Sequence, residues 1–162
     1  MKTVLLMRHA KSSWKDKKLE DIERPLNKRG KKDAGRMGHL MKEKELVPEL
    51  ILCSSAVRAR STAELFAEKS GYTGEIRYLD SFYMAEPMIY AEAVHSLPDE
   101  LNQVMLIGHN PGMEGLVQIL SGKVESLPAG AIARMALTIE HWSDFDYNTC
   151  GDIKHLWRPR DF

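Results

Sequence analysis

The chain has 162 residues, 43% of them hydrophobic and 28% charged, with 23 Lys/Arg balancing 23 Asp/Glu. Those fractions fit one soluble globular domain spanning 1–162 and exclude collagen-like, low-complexity and largely disordered chains. The apolar runs are far too short to cross a bilayer, and the N-terminal Met-Lys stretch is too short for a signal peptide, so a cytoplasmic protein with no membrane partner is expected. The neutral total hides an asymmetry: residues 1–36 carry twelve Lys/Arg against five Asp/Glu. No nucleic-acid motif accompanies this basic end, so nucleic acid is not an expected partner. A solvated lysine-rich loop (Lys15, Lys17, Lys18) and helix face (Lys31, Lys32) account for most of it, and steering of an anionic substrate for the rest. Cys53 and Cys150 form no CxxC pair and read as reduced thiols.

Thr3–Met7 is a continuous apolar run, the pattern of a strand buried on both faces. After a polar loop, Asn27 caps a helix whose core face is Ala34, Met37, Leu40 and Met41. Leu50–Cys53 reads as a second buried strand, and Ser54 or Ser55 as the cap of a helix with Ala59, Thr62, Ala63, Phe66 and Ala67 on one stripe. Gly71 ends that helix. Ile76–Leu79 reads as a shorter strand, and Tyr90, Ala93, Val94 and Leu97 as a helical stripe stopped by Pro98. Val104–Ile107 is the third clear buried strand. Asn110-Pro111 then supplies a cap and a first-turn proline for a helix bearing Met113, Leu116, Val117 and Leu120. Residues 131–139 alternate, and a last strand falls near Ile153–Trp157. The alternation of strand and helix predicts an α/β fold: a three-layer αβα sandwich with a mainly parallel central sheet and antiparallel C-terminal strands.

Three buried strands end in chemistry-bearing residues: Arg8-His9, Ser54-Ser55 with Arg58, and Gly108-His109-Asn110. Ligands bind at the carboxyl ends of parallel strands, so two histidines and two arginines are expected in one crevice. Arginine forks match phosphate oxygens, and imidazole can be nucleophile, base or donor. Each residue alone has a plainer use: a lone histidine as a hydrogen-bonded strand end, Arg58 as the partner of Glu64 or a nearby acid, Arg24 as a loop anchor.

Met7-Arg8-His9-Ala10, the stretch Ser54-Ser55-Ala56-Val57-Arg58-Ala59-Arg60-Ser61-Thr62-Ala63, and Gly108-His109-Asn110-Pro111-Gly112 together resemble the histidine phosphatase (phosphoglycerate mutase-like) superfamily. Arg24-Pro25-Leu26, Gly30 and the compact length look most like its SixA-like phosphohistidine phosphatase branch. The resemblance implies a hydrolase that needs neither metal nor organic cofactor. His9 would attack phosphorus and carry the phosphoryl group, and Arg8, Arg58 and His109 would surround its oxygens. Ser12, Arg24 and Asn110 sit where the family adds substrate contacts. Ala10 replaces the glycine of the wider family, as in the SixA-like branch. The glutamate that mutase-like members use as general acid has no clear match, and Glu86 is the nearest candidate. The favoured partner is a protein-borne phosphohistidine. A small-molecule phosphoesterase or weak mutase, or a non-catalytic phosphate- or phosphopeptide-binding module, remains the alternative. A metallohydrolase built on His9 and His109 lacks further ligands at metal-binding spacing. Oligomeric state is not legible.

Overall fold

A computed structural model describes residues 1–162. Six strands form one sheet in the order β3-β2-β4-β1-β5-β6, with β1 at Thr3–Arg8, β2 at Leu50–Ser54, β3 at Ile76–Leu79, β4 at Gln103–Gly108, β5 at Ile132–Leu137 and β6 at Gly151–Trp157. β1, β2, β3 and β4 pair in parallel, β5 runs antiparallel to β1, and β6 antiparallel to β5. The helices are α1 (Lys28–Glu43), α2 (Val57–Ser70), α3 (Pro87–Val94) and α4 (Gly112–Ser121).

The central strands are apolar throughout because they are buried on both faces, and their alternation assigns each side chain to a layer. Val4, Leu6, Leu52, Val104 and Leu106 face the core under α3 and α4, whereas Leu5, Met7, Ile51, Cys53, Met105 and Ile107 face that under α1 and α2. In β5 and its flanks, Ala131, Ala133, Met135, Leu137 and Ile139 all join the first core and Ile132 the second, as their period of two requires. The expected αβα sandwich is therefore the observed architecture. No helix is long and apolar enough to cross a membrane. Cys53 is buried, Cys150 is exposed, and both are free.

Asn27 caps α1 as expected, its side chain accepting from the Gly30 N–H at 2.7 Å. Gly71 closes α2 in left-handed backbone (φ 76°), a conformation glycine adopts without a Cβ clash. Three boundaries differ from the sequence reading. α2 starts after Ala56, and neither serine caps it: Ser54 Oγ instead accepts from the Ala56 N–H at 3.2 Å and meets His109. α4 starts at Gly112, with Pro111 as the boundary residue, although Asn110 Oδ1 still takes the Glu114 N–H at 3.3 Å. α3 stops at Val94, and Leu97 fills the same core from the turn that follows.

α1 and α2 lie against each other so closely that a Cβ added at Gly38 would stand 2.4 Å from the Phe66 carbonyl oxygen. Backbone cannot yield there as a flexible side chain could. Gly38→Ala should destabilise the fold by about 1–3 kcal/mol in urea unfolding, outweighing the ~1 kcal/mol that alanine gains over glycine in a helix. An unchanged or raised midpoint would show that the helices can move apart freely.

Candidate active site

The parallel pairing of β1 with β4 places Arg8 opposite Gly108, and the ladder continues with the His9 N–H donating to the Gly108 carbonyl at 3.1 Å. The next residues along both strands, His9 and His109, are thereby neighbours, with ring centroids 5.0 Å apart. Only glycine fits at 108, where a Cβ would lie 2.3 Å from the Tyr90 hydroxyl, which in turn accepts the His109 N–H at 3.2 Å. Gly112 is likewise pressed against the Ala85 carbonyl. Gly108 thus admits the Tyr90 side chain against the end of β4, and Gly112 admits the Ala85 backbone.

α2 brings Arg58 to the same edge. Thr62, read from sequence as part of a core stripe, does more than fill space. Its hydroxyl donates to the Arg58 carbonyl at 2.7 Å and accepts the Ala10 N–H at 3.0 Å. It ties the backbone beside His9 to the turn that carries Arg58. Residues 12 and 26 form an antiparallel bridge, and Gly30 lets α1 pack on the Lys11 carbonyl, which brings Arg24 inward.

The result is a cavity of about 650 Å³ that Arg8, His9, Arg58, His109, Ser12, Arg24 and Asn110 all line. Seven of the eight sequence candidates converge there. Glu86 does not: it is an exposed residue at the N-terminal boundary of α3 and is no part of the cavity wall. The carboxylates that do line the cavity are Asp21 and Asp33, and each is engaged by arginine. Asp33 lies between Arg29 at 3.3 Å and Arg36 at 3.5 Å. Asp21 receives Arg24 at 2.8 Å, Arg58 at 2.9 Å and the Tyr83 hydroxyl, and its backbone carbonyl accepts Arg58 again at 2.6 Å. Arg58 therefore does have an acidic partner, but it is Asp21 and not Glu64. Asp21 sits in a short 3-10 turn, Asp21–Glu23, within a polar loop that offers no periodic signal. Its one sequence mark is the spacing to Arg24.

Arg24 also reaches Ser12 Oγ, and its guanidinium lies over the Trp14 ring, 3.2 Å from the centroid. Asn110 is held at both ends of its amide, donating to the Leu127 carbonyl at 2.9 Å and accepting from Glu114. Arg8 donates to the same Leu127 carbonyl at 3.2 Å. Arg8 Nε and His109 Nδ1 are buried with no partner in the protein, the condition of donors left for a ligand.

His9 Nδ1 lies 2.7 Å from the Ala10 carbonyl, so this nitrogen carries the proton and Nε2 keeps a bare lone pair. Burial, with the charges of Arg58, Arg8 and Arg24 adding to it, pushes His9 down to about 4 against the opposing carbonyl bond. Burial, with His9, Arg58 and Arg8, pushes His109 down to about 3. Both rings are neutral at pH 7. His109 Nε2 meets Ser54 Oγ at 2.8 Å; with the serine hydroxyl donating there, Nδ1 carries the hydrogen and is a donor. The Tyr83 hydroxyl holds Asp21 well below the usual carboxylate range, with Arg24 and Arg58 in support. The arrangement can bind a tetrahedral oxyanion with cationic and neutral donors and present an unprotonated nitrogen to its centre.

Residues 4–82 match the model of the histidine phosphatase superfamily (branch 1). The fold matches an Agrobacterium tumefaciens structure assigned as the phosphohistidine phosphatase SixA, with 26% identity, a TM-score of 0.83 and 98% of each chain covered. The chain belongs to the histidine phosphatase superfamily. Its place is in the SixA-like branch. A protein histidine phosphatase SixA in complex with tungstate matches at a TM-score of 0.84 with 22% identity, again over 98% of each chain. An uncharacterized chloroplastic protein of Arabidopsis thaliana is 36% identical over 129 residues, which is 74% of this chain and 59% of that longer protein.

Two outcomes follow for this SixA-like site. An unfolded histidine titrates near 6.5, so the unfolded chain takes up protons below that pH which folded His9 refuses until about 4. Stability must therefore fall as the pH drops through this window. Between pH 7 and 4.5 the wild type should lose about 2 kcal/mol more than His9→Gln in urea unfolding, at about 1.4 kcal/mol per pH unit. Equal losses would place His9 in a solvated setting. Asp21→Asn should lower kcat by on the order of tenfold to a hundredfold, because Arg58 and Arg24 lose their alignment. Removing that negative charge should leave inorganic phosphate inhibiting as strongly or more so; weaker inhibition would make Asp21 merely structural.

Proposed function

We propose that the chain is a metal-independent phosphatase whose favoured substrate is a phosphohistidine on a protein, and that it works through a phosphorylated His9. The observation that carries this reading is that both carboxylates lining the cavity are engaged by arginine. Asp21, held as an anion, is a poor proton donor. An alkyl phosphate leaves as a basic alkoxide and needs a positioned acid. A phosphohistidine leaves as an imidazole, whose nitrogen solvent can protonate, and needs none from the enzyme.

In the first step His9 Nε2 attacks phosphorus in line. The new N–P bond forms as the N–P bond to the substrate imidazole breaks, and that imidazole takes its proton from water. In the second step water attacks the phosphoryl group on His9, releasing inorganic phosphate and restoring the neutral ring. Arg8, Arg58 and His109 donate to the equatorial oxygens throughout, where charge complementarity and positioning supply most of the acceleration. Ser12 and Arg24 extend this set toward the rim. Asn110 acts through its bonds to Leu127 and Glu114, a holding role. The tungstate bound by the related SixA protein is a phosphate-like oxyanion, and supports this use of the cavity. No group of three or more His, Cys, Asp or Glu side chains is placed to hold a metal ion.

Rapid quench during turnover should trap a phosphoenzyme stable in alkali and lost in acid, absent from His9→Ala. A chelator should leave the rate unchanged. Across a phosphohistidine peptide, a phosphoserine peptide and a sugar phosphate, kcat/KM should be highest for the first. Preference for the sugar phosphate would make this a small-molecule phosphoesterase, and turnover by His9→Ala would replace the covalent route with direct attack of water.

A further inference from the structure

α1 lines two depressions. Its N-terminal part, through Arg29 and Asp33, forms a wall of the catalytic cavity. Further along, α1 and α2 enclose a second groove of about 600 Å³ that shares no lining residue with the cavity. Its apolar surface comes from Met37, Leu40, Leu65 and Phe162, and its cationic rim from Lys31, Lys32 and Lys69. All three lysines are exposed and none pairs with a carboxylate, whereas Arg36 is already paired with Asp33 at 3.5 Å. The stem of Lys69 lies across Gly35, within reach of where a Cβ would stand (3.2 Å). Absence of a side chain at Gly35 lets the Lys69 stem lie against α1 there. The one side-chain carboxylate lining it, Glu43, is taken by His39 at 2.7 Å.

Three unpaired ammonium groups around an apolar strip match a segment that is itself acidic and carries an apolar anchor. Such a groove fits a polypeptide better than a small metabolite, which would use the charge and leave the strip wet. The Arg36–Asp33 pair joins the groove to the cavity, since Asp33 belongs to the wall of one and Arg36 to that of the other. Along α1, Leu40 lies ~16 Å from Arg29 at the helical rise of about 1.5 Å per residue. An extended chain covers that in about five residues.

We infer that the α1–α2 groove is a docking site for an acidic, leucine-bearing segment of the phosphoprotein substrate, a few residues away from the phosphorylated histidine. This rests on the reading of a protein substrate given above. The groove contributes to KM and not to the chemical step, because it is apart from His9 and the arginines around it.

The test compares two phosphohistidine peptides, one extended by about eight alternating Glu and Leu residues and one by Gly and Ser. Wild-type KM should be about tenfold lower for the Glu/Leu peptide at equal kcat, with the gap narrowing as salt is raised. The triple variant Lys31→Glu, Lys32→Glu, Lys69→Glu should lose the difference, while its turnover of the Gly/Ser peptide and its thermal midpoint stay as in the wild type. Equal KM for both peptides in the wild type would overturn the docking site and leave the phosphohistidine reading intact. Failure to hydrolyse either peptide, with brisk turnover of a small phosphate ester, would overturn both. A shift in sedimentation state in the triple variant would mark the groove as a contact between copies of this chain and overturn the proposal as well.

Discussion

The site depends first on one stretch of parallel ladder. Because β1 and β4 are neighbours in register, Arg8 faces Gly108, and the chain continues on each side into a histidine. A slip of one residue would turn every side chain of one strand to the opposite layer and part the two rings. The apolar residues before each histidine prevent that slip: Val4 and Leu6 belong to one core, Leu5 and Met7 to the other, and the same division holds in β4. The register that seals the core is the register that pairs the imidazoles.

That placement has an electrostatic cost. Two imidazoles and the guanidinium of Arg58 are almost fully buried, with Arg8 and Arg24 beside them. Protonating either ring in this setting is unfavourable, so both stay neutral, as the proposed roles of nucleophile and hydrogen-bond donor require. Asp21 offsets part of the arginine charge and fixes the direction of two guanidinium forks, with Tyr83 as a third partner that also packs edge-on against His109, 5.5 Å between centroids. An anion supplied by the protein thus prepares the arginines for an anion supplied by substrate. This is preorganisation in the literal sense: the donors are aligned before the charge they serve arrives.

Much of the basic stretch 1–36 resolves into distinct surfaces. Lys11, Arg8, Arg24 and Arg29 line the cavity, Lys31 and Lys32 the second groove, and Lys15, Lys17 and Lys18 an exposed loop. The solvated loop and the cavity wall are thus built from different residues of the same stretch.

Strand and helix positions, the buried stripe of each helix and the convergence of Arg8, His9, Arg58 and His109 were legible from the order of residues alone. Periodicity records burial, and the ends of parallel strands lie on one edge of a sheet whatever the details of packing. The starts of α2 and α4 and the acids were not legible in the same way. Ser54 looks like a helix cap because the same hydroxyl serves a cap or a histidine, and only the adjacency of β2 and β4 turns it toward His109. Thr62 looks like a core position until its hydroxyl is seen joining Arg58 to Ala10. Glu86 follows the right strand for a general acid, yet the packing of α3 leaves it exposed and off the cavity. Asp21, in an aperiodic loop 37 residues before Arg58, carries no local mark beyond its spacing to Arg24. Hydrophobic patterning is a property of neighbours along the chain. Which polar atom meets which is decided across it, by contacts that exist only once the layers have closed.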